Sequence, residues 1–142
     1  MAIASVIPAE TLSAYSETNF IVYAEQVFIL RVGEYCPVLI NLYKAHKIQT
    51  CLFITAHNPY GQALNESVNL KRNIDLATEL EDKALKYYPA EGKHPTVDWP
   101  GEASYLVLGL SIEESCELGK KYEQNAIIWC DSDCVPQLVL LR

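Results

Sequence analysis

The sequence predicts an α+β domain, in which a mixed, largely antiparallel sheet packs with three to four helices as a single-layer or three-layer α/β sandwich. Two β-rich pairs, at residues 19–32 and 125–141, are each joined by a connection short enough for a hairpin. Between them the apolar period alternates between that of a strand and that of a helix. The glycine-rich strand-to-helix turn of a doubly wound parallel fold is missing. The expected order is αββαβαβαββ, with residues 1–142 as one domain and no linker, repeat or low-complexity tract.

Ile7–Thr18 begins with Pro8 and places Leu12 and Tyr15 at helical spacing, which predicts a short helix. Asn19–Ala24 and Gln26–Val32 are rich in Val, Ile, Phe and Tyr and read as strands, with a tight hairpin at Ala24-Glu25 and Gly33 closing the second. Pro37 suits a first helical turn, and Leu39, Leu42, Tyr43 and His46 recur behind it, so a helix runs to about Lys47. Thr50–Thr55 is a nearly continuous apolar run, the pattern of a strand buried on both faces. Asn58-Pro59-Tyr60-Gly61 fits a type I turn position by position.

The longest helix then runs from Glu66 to Tyr87, with Leu70, Ile74, Ala77, Leu80, Ala84 and Tyr87 as its apolar stripe and Pro89 ending it. Ala90–Gly101, broken by Gly92, Pro95 and Pro100, reads as irregular. Ala103–Leu110 is another buried strand. Ser111 and Glu114 form a capping box that opens a helix ending near Tyr122. Asn125–Cys130 and Gln137–Leu141 are the last strands, and Asp131–Pro136 joins them as an antiparallel hairpin.

The formal charge is −7, and the 11 basic residues are scattered, so nucleic acid is not an expected partner. No apolar run reaches the length of a membrane span, and residues 1–8 lack the positive start of a signal peptide; a cytoplasmic location is expected. Cys36, Cys51 and Cys116 sit inside apolar patterns and read as free buried thiols. Cys130 and Cys134 are not in C-x-x-C spacing and the histidines share no ligand spacing, so neither metal nor cofactor is expected.

Two polar clusters stand out. Thr55-Ala56-His57-Asn58-Pro59 leaves a buried strand for a helix start, where Asn69, Arg72 and Asn73 share one face. Together they form a candidate site for a small polar or anionic ligand. The alternative is that Asn58 caps its own turn, Thr55 bonds the backbone, and the helix face is merely wet. In the second cluster, Glu102 and Ser104 alternate at a strand entrance behind Asp98 and Trp99. Glu102 under a Trp99 lid is a candidate general base with a raised pKa; the alternative is a glutamate that pins the loop. Gln124 opens the strand that follows and either reads an amide or ties two loops together.

These polar positions resemble a small bacterial family catalogued as domain of unknown function 3293, whose pattern is close to T-A-x-N-P, N-x-x-R, W-x-x-E-x-S and F-G-Q-N-A. The matching residues are Thr55 to Pro59, Asn69 with Arg72, Trp99 with Glu102 and Ser104, and Gln124-Asn125-Ala126, within a likeness running from about Thr11 to Leu141. The resemblance implies a bacterial cytoplasmic domain with Thr55, Asn58, Asn69, Arg72, Glu102 and Gln124 in one constellation; it brings no activity. The chain departs from the pattern at Tyr122-Glu123, where the family tends to have Phe-Gly, and at His57, which the pattern does not require.

Two functions fit. The first is a ligand pocket built from Thr55, His57, Asn58, Asn69, Arg72, Ser104 and Gln124, with Glu102 as general base. The second is a protein-interaction or regulatory domain whose polar residues are structural and whose strand Phe20–Ala24 or Gln137–Leu141 offers an edge to a partner.

Overall fold

A computed structural model describes residues 5–96 and 101–142. The element order is α1 (Ala9–Glu17), β1 (Asn19–Tyr23), β2 (Val27–Leu30), α2 (Val38–His46), β3 (Cys51–Ile54), α3 (Glu66–Asp82), β4 (Tyr87–Lys93), β5 (Glu102–Leu108), α4 (Ile112–Lys121), β6 (Ala126–Cys130) and β7 (Pro136–Leu140). The seven strands form one sheet in the order β2-β1-β4-β5-β3-β6-β7, and every neighbouring pair is antiparallel. The α+β expectation therefore holds, with the sheet wholly antiparallel.

Strict alternation along the central strands makes three layers. Cys51 and Phe53 of β3, Leu106 and Leu108 of β5, and Ile128 and Cys130 of β6 join one core with Leu39, Leu42 and Tyr43 of α2. Leu52, Val107, Ile127 and Trp129 point the other way, into a second core with Leu76 and Leu80 of α3 and Leu118 of α4. Phe28 and Leu30 of edge strand β2 share the first core with Ile128 and Cys130, so the sheet curls toward that face. Just beyond β2 the two edges touch, Gly33 N–H donating to Pro136 O and Cys36 N–H to Cys134 O, each at 2.9 Å. The concave face is thus walled from both sides. No helix among the described residues is long and apolar enough to cross a membrane.

The hairpins form as expected, Tyr23 pairing Val27 and Cys130 pairing Pro136. The free thiols Cys36, Cys51, Cys130 and Cys134 are buried on the concave face, where a hydrogen bond with Cys51 and then burial push the Cys130 thiol up. Such thiols are poor nucleophiles. The Ser111–Glu114 capping box is present, with both reciprocal bonds at 3.1 Å.

Three expectations are corrected. The long helix stops at Asp82, because Ala84 turns left-handed at φ 56° and Leu85 N–H bonds back to Leu80 O. Tyr87–Lys93 then forms β4, between β1 and β5, where the end of the helix and the start of the irregular Ala90–Gly101 stretch are expected. Pro89 is tolerated there because the β1 ladder ends at Ala90; its missing N–H deprives no β1 residue. This arrangement also makes β1 an interior strand, so of the two edges expected from sequence only β7 is one, and β2 is the other.

The third correction concerns the face that α3 buries. Leu70 and Ile74 are 60 % and 53 % exposed, whereas Asn69, Asn73, Leu76 and Leu80 are buried. The helix is rotated so that its asparagines, rather than those two aliphatics, continue the inner stripe. Leu76→Ala and Leu80→Ala are expected to lose about 2–5 kcal/mol in urea denaturation, while Leu70→Ser and Ile74→Thr stay within about 0.5 kcal/mol of the parent. Leu70→Ser and Ile74→Thr costing more than Leu76→Ala would restore the stripe read from sequence.

Candidate functional site

The loop from β3 to α3 is built by side chains that bond its backbone. Thr55 Oγ1 donates to Ala103 O at 2.7 Å and accepts His57 N–H at 3.0 Å. Asn73 accepts Ala56 N–H at 2.8 Å through Oδ1 and donates to Ala103 O at 2.9 Å through Nδ2. One helical turn earlier, Asn69 accepts Asn58 N–H at 2.9 Å and donates to Asn58 Oδ1 at 2.7 Å. Asn58 Oδ1 also accepts Leu64 N–H at 3.1 Å. A buried backbone group without a partner is expensive, so each of these bonds selects one loop conformation.

The turn at Pro59–Gly61 keeps the expected bond, Gly61 N–H to Asn58 O at 2.9 Å, but is not type I. Tyr60, its third residue, is left-handed at φ 54°, where a type I turn needs a negative φ. Tyr60 N–H donates to Glu123 O, which draws the loop onto the corner after α4.

Arg72 fastens the same two segments. Its Nε donates to Ala56 O at 2.7 Å and its Nη2 to Tyr122 O at 2.6 Å, while Nη1 lies 3.4 Å from Glu123 Oε1. Gln124 Nε2 donates to His57 O at 3.0 Å and Tyr122 O at 3.1 Å. The α4 corner is a Schellman cap, with Gln124 N–H on Gly119 O and Glu123 N–H on Lys120 O. It holds Glu123 at φ 58°, a conformation natural to glycine, which the resembling pattern carries there.

This framework borders a cleft of about 890 Å³ on the concave side of the sheet. Its apolar wall includes Phe20, Phe53, Ile128 and Leu138, and α1 lies across it with Thr11, Ala14, Tyr15 and Thr18. No residue of α1 is buried, so this helix covers the cleft rather than filling a core. Of the expected site residues, Thr55, His57, Asn58, Asn69, Glu102, Ser104 and Gln124 line the cleft; Arg72 does not. Asp98, Trp99 and Pro100, with the expected aromatic lid, lie outside the described residues. Asn125, from the Gln124-Asn125-Ala126 match, also lines it, as do Tyr15 and His94, which had no local motif to mark them.

Glu102 begins β5 and turns its carboxylate to the cleft, where Oε1 accepts Asn58 Nδ2 at 3.1 Å. Burial pushes this carboxyl above the ordinary glutamate range, and the Asn58 hydrogen bond only partly opposes it. Burial likewise raises the Tyr15 hydroxyl, with an Asn125 hydrogen bond opposing and the Glu102 charge adding to the rise. His57 is pushed down by burial and then by Arg72, which favours the neutral ring. Ser104 Oγ donates to Glu102 O at 2.9 Å and so braces the strand rather than the carboxylate. His94 Nε2 lies 2.7 Å from Glu17 Oε2. Among the described residues no group of three potential ligands could hold a metal ion. The arrangement offers one desolvated carboxyl, able to hold or move a proton, beside an apolar chamber.

Arg72→Met removes charged donors from two backbone carbonyls and is expected to cost about 1.5–3 kcal/mol in urea denaturation. Its amides in 55–61 should also exchange faster, and an unchanged stability would refute the clamp. Glu102→Gln keeps the acceptor for Asn58 and removes a charge that folding desolvates. Because the carboxyl titrates higher folded than unfolded, the folded state binds more protons in that window and stability falls as pH rises through it. Glu102→Gln is therefore expected to melt above the parent at pH 7, with the gap closing as pH falls toward the ordinary value of 4.5. Equal melting at pH 7 would contradict the burial cost.

No curated protein and no solved structure matches the chain. A family model matches residues 54–127, just over half of the chain, from the last residue of β3 to the second of β6. That span carries Thr55, His57, Asn58, Asn69, Arg72, Glu102, Ser104 and Gln124, so the loop framework and the carboxyl fall within it. The chain belongs to the family described as Protein of unknown function (DUF3293).

Proposed function

We propose that this protein binds a small organic molecule in the cleft between α1 and the concave sheet, with Glu102 as the polar anchor and proton acceptor. One observation carries the reading: a largely buried carboxyl, whose one protein donor among the described residues is Asn58, opens onto a chamber of about 890 Å³. That volume is in the range of small-molecule sites, and apolar walls with few fixed polar groups are their usual composition. The Asn69–Asn58–Glu102 relay holds the carboxylate in place before any ligand arrives.

A second reading, docking of a protein partner, is favoured by Tyr23, Val27 and Ile29, which stand exposed on the β1–β2 hairpin at a sheet edge. Size-exclusion chromatography with light scattering separates the two: assembly abolished by Val27→Lys with ligand shifts absent would favour the edge.

The test of the pocket is a thermal-shift screen of amines, carboxylates, sugars and heterocycles on the parent, on Glu102→Gln and on Ala14→Trp, which fills the cleft from an unburied helix. A ligand-dependent shift in the parent that falls in both variants is expected. No shift in the parent, or one untouched by both substitutions, would sink the ligand site.

A further inference from the structure

Given the ligand site proposed above, we infer that its ligand is a cation: an ammonium, amidinium or guanidinium group carried on an apolar body. Among the described residues, the acidic side chains lining the cleft are Glu10, Glu66 and Glu102, and no lining residue is a lysine or arginine. Residues 1–4 and 97–100 contain neither type, so they bring no cationic side chain either.

The cations that lie near the cleft are engaged elsewhere. Arg72 donates to Ala56 O and Tyr122 O. Arg142 stacks on the Tyr60 ring at 4.2 Å and donates to Asn125 Oδ1 at 2.8 Å. His94 faces Glu17, so a charge on its ring is already matched. Burial and Arg72 favour a neutral His57.

Glu102 keeps one carboxylate oxygen open to the cleft. Its Oε1 takes the Asn58 amide, while Oε2 has no protein donor among the described residues. The Asn58 carbonyl accepts Asn69 Nδ2 and Leu64 N–H, which fixes the amide so that Nδ2 is the group facing Glu102. A desolvated carboxylate in this state is satisfied by a donor that also carries opposite charge. The same groups disfavour an anion: the α3 N-terminus, the usual anion seat, is capped by Asn65 at 2.9 Å from Val68 N–H and followed by Glu66. The Phe20–Phe53 pair, with ring centroids 4.9 Å apart, gives the chamber an aromatic wall suited to a planar or cationic guest. A net charge of −7 adds long-range attraction of the same sign.

The test uses ligands of one shape and three charges. Benzamidine, benzamide and benzoate are titrated into the whole protein by isothermal calorimetry and amide NMR, with hexylamine, hexanol and hexanoate as a second shape. The cation of each set is expected to bind about tenfold or more tightly than its neutral partner, the anion weakest, with shifts centred on Asn58, Ala103 and Tyr15. Glu102→Gln, which keeps the Asn58 bond, should erase the preference, and Ala14→Trp should weaken all members alike. Neutral or anionic members binding as tightly as the cation would overturn the charge assignment and leave the pocket standing. A preference that survives Glu102→Gln would overturn it too, by placing the attraction on the general acidic surface. If none of the six bound, the pocket itself would fall and this inference with it.

Discussion

The site depends on one helix face spending its side-chain hydrogen bonds on a loop backbone. Asn69, Arg72 and Asn73 engage the N–H or C=O groups of Ala56 and Asn58, where a helix of this length would ordinarily bury aliphatics. Those bonds fix where Asn58 stands, and Asn58 in turn holds Glu102. Arg72 and Gln124 then tie the loop to the α4 corner, so the geometry at Glu102 rests on three elements distant in sequence. Removing the polar face would loosen the carboxylate before it unfolded the sheet.

That arrangement carries a cost in stability. The two cores, one on each sheet face, supply the ordinary hydrophobic stabilisation. Against it stand a desolvated carboxyl and left-handed conformations at Asn58, Tyr60 and Glu123. Such costs concentrate at functional sites and persist only where surrounding structure over-determines them. Here the over-determination is visible as reciprocal hydrogen bonds rather than as packing.

Much of the fold could be read from the residues because the signals were local. The apolar run of β3, the Ser111–Glu114 box and the two hairpins each announced themselves within a few positions. The polar face of α3 was equally legible from its three- and four-residue spacing. What failed was the choice between two apolar sets on that helix. Leu70 and Ile74 share the periodicity of Leu76 and Leu80, and only the bonds of Asn69 and Asn73 decide which side turns inward. Strand β4 was hidden because Pro89 reads as a helix stop, while its actual tolerance depends on where the β1 ladder ends. Tyr15 and His94 join the cleft through tertiary placement alone. A small polar or anionic ligand is expected at the cluster that includes Arg72, and the sequence does not show that this guanidinium is committed to backbone carbonyls.

The ligand site proposed for the cleft rests on Glu102, a largely buried carboxyl held by Asn58. Its most direct test is a carbon-detected NMR titration of the Glu102 carboxyl, free and with saturating benzamidine. The account predicts a carboxyl that titrates above the ordinary glutamate value in the free protein and drops when the cation binds. A carboxyl that titrates at the ordinary value and ignores the cation would contradict it.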